Sequence, residues 1–165
     1  KTNASYEQLA HEFSFKNING GEINLKNYKN NVIVVVNVAS RCGFTNQYED
    51  LQNLWSKYKD NNLVVIGVPT NNFKQEPKNN AEIKKFCETN FGVTFPMSEK
   101  VDVIGNNAHP FFKWAKKNHG IAAIPKWNFH KIIIGKDGKV ADTFASFTKP
   151  SSKKFLKVIK KEIKS

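Results

Sequence analysis

Residues 32–45 read Val32-Ile33-Val34-Val35-Val36-Asn37-Val38-Ala39-Ser40-Arg41-Cys42-Gly43-Phe44-Thr45 and carry the strongest structural signal in the chain. The first seven residues form an apolar, β-branched run that does not alternate with polar residues and is too short for a typical helix. Such a run predicts a strand that is buried on both faces of a mostly parallel sheet. We therefore expect residues 32–38 to form a central strand.

A turn of small residues follows this strand and presents Cys42. Thr45 or Asn46 is placed to cap a helix that we predict through Tyr58, because apolar residues recur there at helical spacing. At a helix N-terminus, backbone N–H groups, the helix dipole and the neighbouring Arg41 would favour a thiolate. A small buried apolar residue is the alternative interpretation of a lone cysteine. The carboxyl edge of a parallel sheet favours the nucleophile, since ligands and chemistry collect there in open α/β sheets.

The other predicted elements complete a recognisable order. They are a hairpin at 13–25, a strand at 63–68, helices at 79–92 and 110–117, a hairpin at 131–144 and a last helix capped by Ser151. Together with the strand at 32–38 and its helix, this is the thioredoxin arrangement. We therefore predict an α/β, thioredoxin-like fold with a central mixed sheet flanked by helices and an N-terminal β-hairpin extension.

Length and composition indicate one domain over residues 1–165. The chain has 165 residues, of which 39% are hydrophobic and 24% charged, and this is ordinary for a globular protein with a sizeable core. No apolar run approaches the roughly 20 residues of a transmembrane helix. We expect a cytoplasmic location. Because the chain begins at Lys1 rather than methionine, the alternative is an organelle such as a mitochondrion or plastid, if a leader precedes residue 1.

The net charge of +12 comes almost wholly from lysine, because Arg41 is the only arginine. Such a balance permits weak attraction to nucleic acid, an anionic membrane or an acidic protein. The densest lysine cluster lies in residues 153–164, opposite apolar residues of an amphipathic helix, and is either a solvated face or a surface for an anionic partner. We expect no specific nucleic-acid partner, since neither a known motif nor a basic and aromatic sheet face is present.

Two cysteines, Cys42 and Cys87, are too few and too far apart for a disulfide scaffold or a zinc site, but they suit redox chemistry. A thioredoxin-type oxidoreductase needs a second cysteine at the position of Thr45, so local dithiol exchange is excluded. One exposed thiolate with a distant partner fits a peroxidase better. The thiolate attacks a peroxide oxygen and becomes a sulfenic acid, which a second thiol resolves to a disulfide.

Four separated segments resemble the signature segments of the glutathione peroxidase family, in the same order and over nearly the whole chain. They are residues 37–45, 71–77, 107–110 and 127–129. The resemblance implies that Cys42 is the peroxidatic cysteine and that Gln75, Trp127 and Asn128 surround it. It also implies that Cys87 matches the resolving cysteine of the thioredoxin-dependent, non-selenium members. The loop that holds the second segment departs from the family's usual loop. It is one residue shorter, and Thr70, directly before the segment, stands in place of a cysteine.

The chemistry of the three implied neighbours suits this role. The indole N–H of Trp127 and the amide N–H groups of Gln75 and Asn128 are donors that can stabilise a thiolate and the oxyanion released on O–O cleavage. No metal or organic cofactor is then required. Taken singly, Trp127 fits a core aromatic residue and Gln75 a solvated loop residue better, but their joint occurrence in matching motifs favours the catalytic interpretation.

The resemblance implies a thiol peroxidase, an antioxidant oxidoreductase that reduces hydrogen peroxide and organic or lipid hydroperoxides. Thioredoxin is the expected reductant, with glutathione less efficient. The short segment between Trp114 and Trp127 lacks the insertion that resembles the oligomer contact of tetrameric members, so we expect a monomer. Two alternatives stay open: a peroxide sensor or redox relay that uses the same cysteine pair, and a basic binding module in which the cysteines are inert.

Overall fold

The central sheet has four strands, β3 (Val32–Val38), β4 (Leu63–Pro69), β5 (Lys131–Ile134) and β6 (Val140–Phe144). The structure, a computed structural model, describes residues 6–165. Lys1, on which the expectation about a leader rests, lies outside the described residues. The strand order is β4-β3-β5-β6. β3 pairs parallel with β4 and antiparallel with β5, and β5 pairs antiparallel with β6. The sheet is therefore mixed, as predicted.

The central strand β3 is buried along its whole length, and so is its parallel neighbour β4. The register pairs Val32 with Leu63 and Val38 with Pro69, so both strands start and end at the same level. Their carboxyl ends consequently meet at one edge of the sheet. The turn that carries Cys42 and the loop after Pro69 leave the sheet side by side.

Helices cover both faces of the sheet. They are α1 (Gln47–Tyr58), α2 (Asn80–Phe91), α3 (Pro110–His119) and α4 (Lys153–Lys164). Side chains of β3 alternate between two apolar clusters, as the pleat of a strand requires. Val34 and Val36 pack with α1, α2 and α4, whereas Ile33 and Val35 pack with α3 and the N-terminal hairpin. None of the described helices is long and apolar enough to span a membrane.

The N-terminal hairpin consists of β1 (Ser14–Lys16) and β2 (Glu22–Asn24), which pair antiparallel as predicted. His109 joins it to α3. The Nδ1 atom of His109 accepts from the Phe111 N–H at 3.1 Å, its Nε2 lies 2.8 Å from the Ser14 carbonyl oxygen, and its ring stacks on Phe15 at a centroid distance of 4.1 Å. The segment at 107–110 thus caps a helix and fixes the hairpin over the sheet.

The predicted helix caps differ from the structure in detail. α1 begins at Gln47, so Asn46, one of the two predicted residues, occupies the N-cap position, but its side chain makes no capping hydrogen bond. The hydroxyl of Thr45, the other predicted residue, accepts from the Cys42 N–H at 3.0 Å. α4 is capped by Ser152 rather than Ser151, whose hydroxyl lies against Asp50 at 3.4 Å. Thr45 is thus engaged within the cysteine turn, and Ser151 by a distant helix.

A fully buried lysine, Lys131, fixes the loop after β6 to the start of α1. Its ammonium group donates to the Gln47 side-chain oxygen at 2.6 Å and to the Ser146 carbonyl at 3.1 Å, and it also donates to the carbonyl of Thr148. The Gln47 amide in turn donates to the Ser146 carbonyl at 2.7 Å. All of these acceptors are neutral. Burial lowers the pKa of Lys131 to about 7, although Asp50 opposes the shift.

This burial predicts a pH-dependent stability. The unfolded chain holds a lysine proton up to about pH 10.4, so between pH 7 and that value the unfolded state binds more protons than the folded state. The free energy of unfolding should therefore rise with pH over this range, by up to about 1.4 kcal/mol per pH unit from this group. When urea unfolding is measured at pH 7 and pH 9, the free energy of unfolding of Lys131→Met should lack this increase with pH. The exposed control Lys160→Met should keep the wild-type slope, and equal slopes in all three proteins would contradict the assignment.

Candidate active site

The turn between β3 and α1 holds Cys42 half-buried at the edge of the sheet. Its shape comes from local hydrogen bonds, because the Thr45 N–H donates to the Cys42 carbonyl at 3.1 Å and the Thr45 hydroxyl donates to the Ala39 carbonyl at 3.2 Å. The Phe44 N–H donates to the Cys42 sulfur at 3.4 Å. The turn therefore presents the thiol to solvent with one backbone donor already directed at it.

The expected position of Cys42 at the very N-terminus of a helix is corrected by the structure. Four residues separate Cys42 from Gln47, the first residue of α1. A helix dipole acts mainly within the first turn, so its effect on the sulfur is weaker than the sequence suggested. The nearby Phe44 N–H provides the direct electrostatic contact instead, since a hydrogen bond to an ionised sulfur is stronger than one to a neutral group.

The loop after β4 is bound to the Cys42 turn by three sets of hydrogen bonds. The Thr70 N–H donates to the Val38 carbonyl at 3.1 Å, and the Arg41 N–H donates to the Gln75 carbonyl at 2.9 Å. Between these contacts, the carboxylate of Glu76 accepts from the Ser40 N–H at 3.0 Å and from the Ser40 hydroxyl. The backbone of Gln75 therefore lies directly beside the residue that precedes the cysteine.

Glu76 is the residue of this site that the sequence analysis missed. Its side chain is fully buried, and its own N–H donates to the Asn71 side-chain oxygen at 3.1 Å. In the sequence it appears as an ordinary acidic loop residue before Pro77. The signal that the sequence offered was its position in the loop that follows a predicted buried strand, at the carboxyl edge of the sheet.

The structure places the predicted neighbours of Cys42 at the same edge of the sheet, without hydrogen bonds from their side chains to its sulfur. The Gln75 amide donates to the Lys74 carbonyl at 3.5 Å, and the Trp127 ring packs on Phe73 with 5.6 Å between the ring centroids. Trp127 is 38% exposed. Among the described residues, neither of these side chains nor that of Asn128 hydrogen-bonds to Cys42.

Asn128 is fully buried, and both polar atoms of its amide lack a hydrogen-bond partner among residues 6–165. The surrounding backbone is tied to the end of β3: the Asn37 amide donates to the Trp127 carbonyl at 2.9 Å, and the Phe129 N–H donates to the Asn37 carbonyl at 2.6 Å. Phe129 adopts a φ of 64°, which is unusual outside glycine. Unpartnered buried groups and strained backbone cost free energy and cluster at functional sites.

Cys87 lies on the buried side of α2, as predicted, and its thiol is free. Burial raises the pKa of Cys87 to about 11; the nearby Tyr48 hydroxyl opposes the shift, and the charges of Glu76 and Glu88 add to it. Tyr48 interacts electrostatically with both cysteines and packs edge-on against Phe129. Both cysteines therefore lie near one buried tyrosine, Cys87 within its apolar cluster and Cys42 packed against that cluster.

The arrangement suits nucleophilic chemistry at sulfur. One thiol is half-buried in a turn, the second is buried in the core, and the unpartnered amide of Asn128 lies next to residues that are bonded to Asn37 near the end of β3. Within the part of the chain that the structure describes, no cluster of histidine, cysteine or carboxylate side chains has the geometry of a metal site. An accessible thiol at the carboxyl edge of such a sheet defines a thiol-dependent oxidoreductase of thioredoxin-like fold.

Comparison with known proteins agrees with this class of protein and identifies a family within it. Residues 10–116 match the model of the glutathione peroxidase family. The "hydroperoxy fatty acid reductase gpx1" of Synechocystis sp. is 44% identical over 147 residues, which cover 84% of this chain and 87% of that protein. The "glutathione peroxidase-like peroxiredoxin 2" of Saccharomyces cerevisiae is 42% identical over 147 residues, covering 86% of this chain and 90% of that protein.

A solved structure shows the same fold. The crystal structure of Trgpx in its apo form superposes with a TM-score of 0.76 and 36% sequence identity, covering 96% of this chain and 97% of that one. The predicted thioredoxin-like architecture is thereby confirmed. The chain belongs to the glutathione peroxidase family, and it is a thiol peroxidase.

Proposed function

We propose that Cys42 is the peroxidatic cysteine and that Cys87 resolves it. The Cys42 thiolate attacks the distal oxygen of a hydroperoxide, the O–O bond breaks, and the released alkoxide or hydroxide takes up a proton. Cys42 is left as a sulfenic acid. The Cys87 thiol then displaces water to form a disulfide, and a reduced dithiol protein returns both cysteines to thiols while becoming oxidised itself.

The observation that carries this proposal is the buried, unpartnered amide of Asn128 at the end of β3. A buried amide without partners costs about 1–3 kcal/mol, so its retention calls for a compensating role. Its N–H group is positioned near the strand from which the Cys42 turn leaves. We assign Asn128, with Gln75 and Trp127, the role of donating to the reacting sulfur or to the oxygen that leaves.

These contacts would form when the side chains reorient around a bound peroxide. Trp127 is partly exposed and Gln75 lies on a loop, so both side chains have room to turn. Catalytic hydrogen bonds are often long or absent before substrate binds and form only in the reacting complex. The neutral donors also account for peroxide chemistry without a metal ion or an organic cofactor.

The position of Cys87 supports a dithiol protein such as thioredoxin as the better reductant and glutathione as the poorer one. A disulfide requires Cα atoms within about 7 Å, and Cys87 is buried on α2, so we propose that α2 loosens to bring Cys87 to Cys42. Of the twelve residues of α2 only Ile83 and Cys87 are buried. The disulfide would then be exposed in a loosened segment.

We further propose that the protein acts on hydrogen peroxide and on organic or lipid hydroperoxides, since the relative from Synechocystis is named for a fatty acid substrate. We also propose that it works as a monomer.

Replacement of the nucleophile is the direct test. Cys42→Ser should reduce peroxide consumption by at least about a thousandfold, because a serine hydroxyl stays protonated at neutral pH and is a poor nucleophile. The measurement is steady-state turnover of hydrogen peroxide with thioredoxin and its reductase. Wild-type protein with glutathione and its reductase gives the comparison of reductants. Substantial turnover by Cys42→Ser would place the nucleophile elsewhere.

The donors are tested one at a time. Trp127→Phe, Gln75→Ala and Asn128→Ala should each slow the oxidation of Cys42 by peroxide, and loss of a single donor in such a site costs roughly 2.7–4 kcal/mol. Stopped-flow fluorescence gives the second-order rate, and circular dichroism checks the fold. Asn53→Ala, at an exposed position of α1, is the matched control and should react at the wild-type rate. Wild-type rates in all three variants would remove the proposed donors from the mechanism.

Cys87→Ser should separate the two half-reactions. The first oxidation of Cys42 should proceed at close to the wild-type rate, whereas thioredoxin-dependent turnover should be lost. A tethered thiol acts at an effective concentration in the millimolar range, so wild-type protein should form the intramolecular bond before free thiols react. Mass spectrometry of the oxidised protein should show a peptide linked between Cys42 and Cys87. Only sulfinic acid or a glutathione adduct at Cys42 would refute a resolving role.

A further inference from the structure

A cavity of about 350 Å³ lies beside α3, outside the cysteine site. Its apolar walls come from the segment before α3, from α3 itself and from the chain that leads to Trp127, and they are Val103, Ile104, Ala108, Phe112, Ile124 and Pro125. Ligand sites in proteins have volumes of about 300–1,000 Å³ and mostly apolar linings. This cavity is at the lower end of that range, which suits one extended chain rather than a bulky ligand.

One side of the cavity is cationic. Lys113 and Lys116 line it and are both exposed, one helical turn apart on α3. Neither forms an ion pair with any residue from 6 to 165, and α3 contains no acidic residue. Apolar walls with two unpaired ammonium groups at one margin are complementary to an anionic amphiphile, whose chain is buried and whose charge stays at the surface.

The residues that line the cavity are connected to the peroxidase site. Pro125 is two residues before Trp127. The Ile104 N–H donates to the Asn72 side-chain oxygen at 3.3 Å, and Asn72 is followed by Phe73, whose ring packs on Trp127. The cavity lining is therefore joined to the pair formed by Phe73 and Trp127 through Pro125 and through Ile104.

We propose that this cavity is an acyl-chain subsite for free fatty acid hydroperoxides, with the carboxylate held by Lys113 and Lys116. The proposal rests on the peroxidase function proposed above and adds a preference to it. A free acid meets both lysines, whereas a neutral ester of the same chain meets only the apolar walls. The subsite thus selects hydroperoxides of free fatty acids over those of neutral esters.

Binding without chemistry tests the subsite directly. Oleate, which carries no peroxide, should bind to wild-type protein in isothermal titration calorimetry below its micellar concentration. Lys113→Ala/Lys116→Ala should weaken oleate binding by about tenfold, because each exposed ion pair contributes modestly. The control Lys157→Ala/Lys160→Ala removes the same charge at the same spacing on α4 and should leave binding unchanged. Octanoate should bind more weakly than oleate, because it buries less apolar surface.

Kinetics connect binding to specificity. Lys113→Ala/Lys116→Ala should raise KM for linoleic acid hydroperoxide about tenfold, in line with the lost ion pairs, and leave the oxidation of Cys42 by hydrogen peroxide unchanged. The KM for the methyl ester should not change. No binding of oleate, equal loss in both double variants, or equal affinity for octanoate and oleate would overturn the subsite. Failure of the wild-type protein to consume hydrogen peroxide would refute the proposed function instead, and oleate binding would still report on the cavity.

Discussion

The parallel pairing of β3 with β4 is the constraint on which the other features of the protein depend. Both strands are buried throughout and end at the same level, with Val38 opposite Pro69. The cysteine turn and the following loop therefore start as neighbours, and short hydrogen bonds are enough to join them. A change of register by one residue would send the β3 side chains to the opposite face and separate these loops. The pairing of these two strands therefore fixes the backbone from which the site is built.

Strong local signals made most of the fold predictable. The β-branched run predicted the bounds of β3, and the range predicted for the second helix, 79–92, agrees with α2 and its caps, a capping box at the start and a left-handed residue at the end. Asn46, one of the two residues predicted to cap α1, occupies the N-cap position without a side-chain hydrogen bond, and the cap of α4 was misplaced by one residue. Thr45 and Ser151 have the correct chemistry for capping, but each hydroxyl is held by a contact that depends on the folded turn or on a distant helix. Local propensity could not reveal such competition.

The buried charges were beyond the reach of sequence reasoning for a related reason. Glu76 and Lys131 are fully buried, yet neither lies in an apolar pattern that would predict it. Glu76 is satisfied by Ser40, 36 residues earlier, and Lys131 by Gln47 and by the carbonyls after β6. Burial of a charge is tolerated only when specific partners are present, and those partners exist only once the sheet has formed. The motifs predict the site residues, whereas the interactions that hold their backbone in place had to come from the structure.

The different surroundings of the two cysteines fit the different roles proposed for them. Cys42 lies in a solvent-facing turn with a backbone donor directed at its sulfur, whereas burial and the negative charge of Glu76 keep the Cys87 thiol protonated. Glu76 acts on both sides of the site, since its hydrogen bonds to Ser40 hold the cysteine turn and its charge opposes ionisation of Cys87. A protonated Cys87 is protected from peroxide while α2 is folded. Loosening of α2 would expose Cys87 to water and remove the burial that raises its pKa, so the same movement that brings the thiols together also activates the second one.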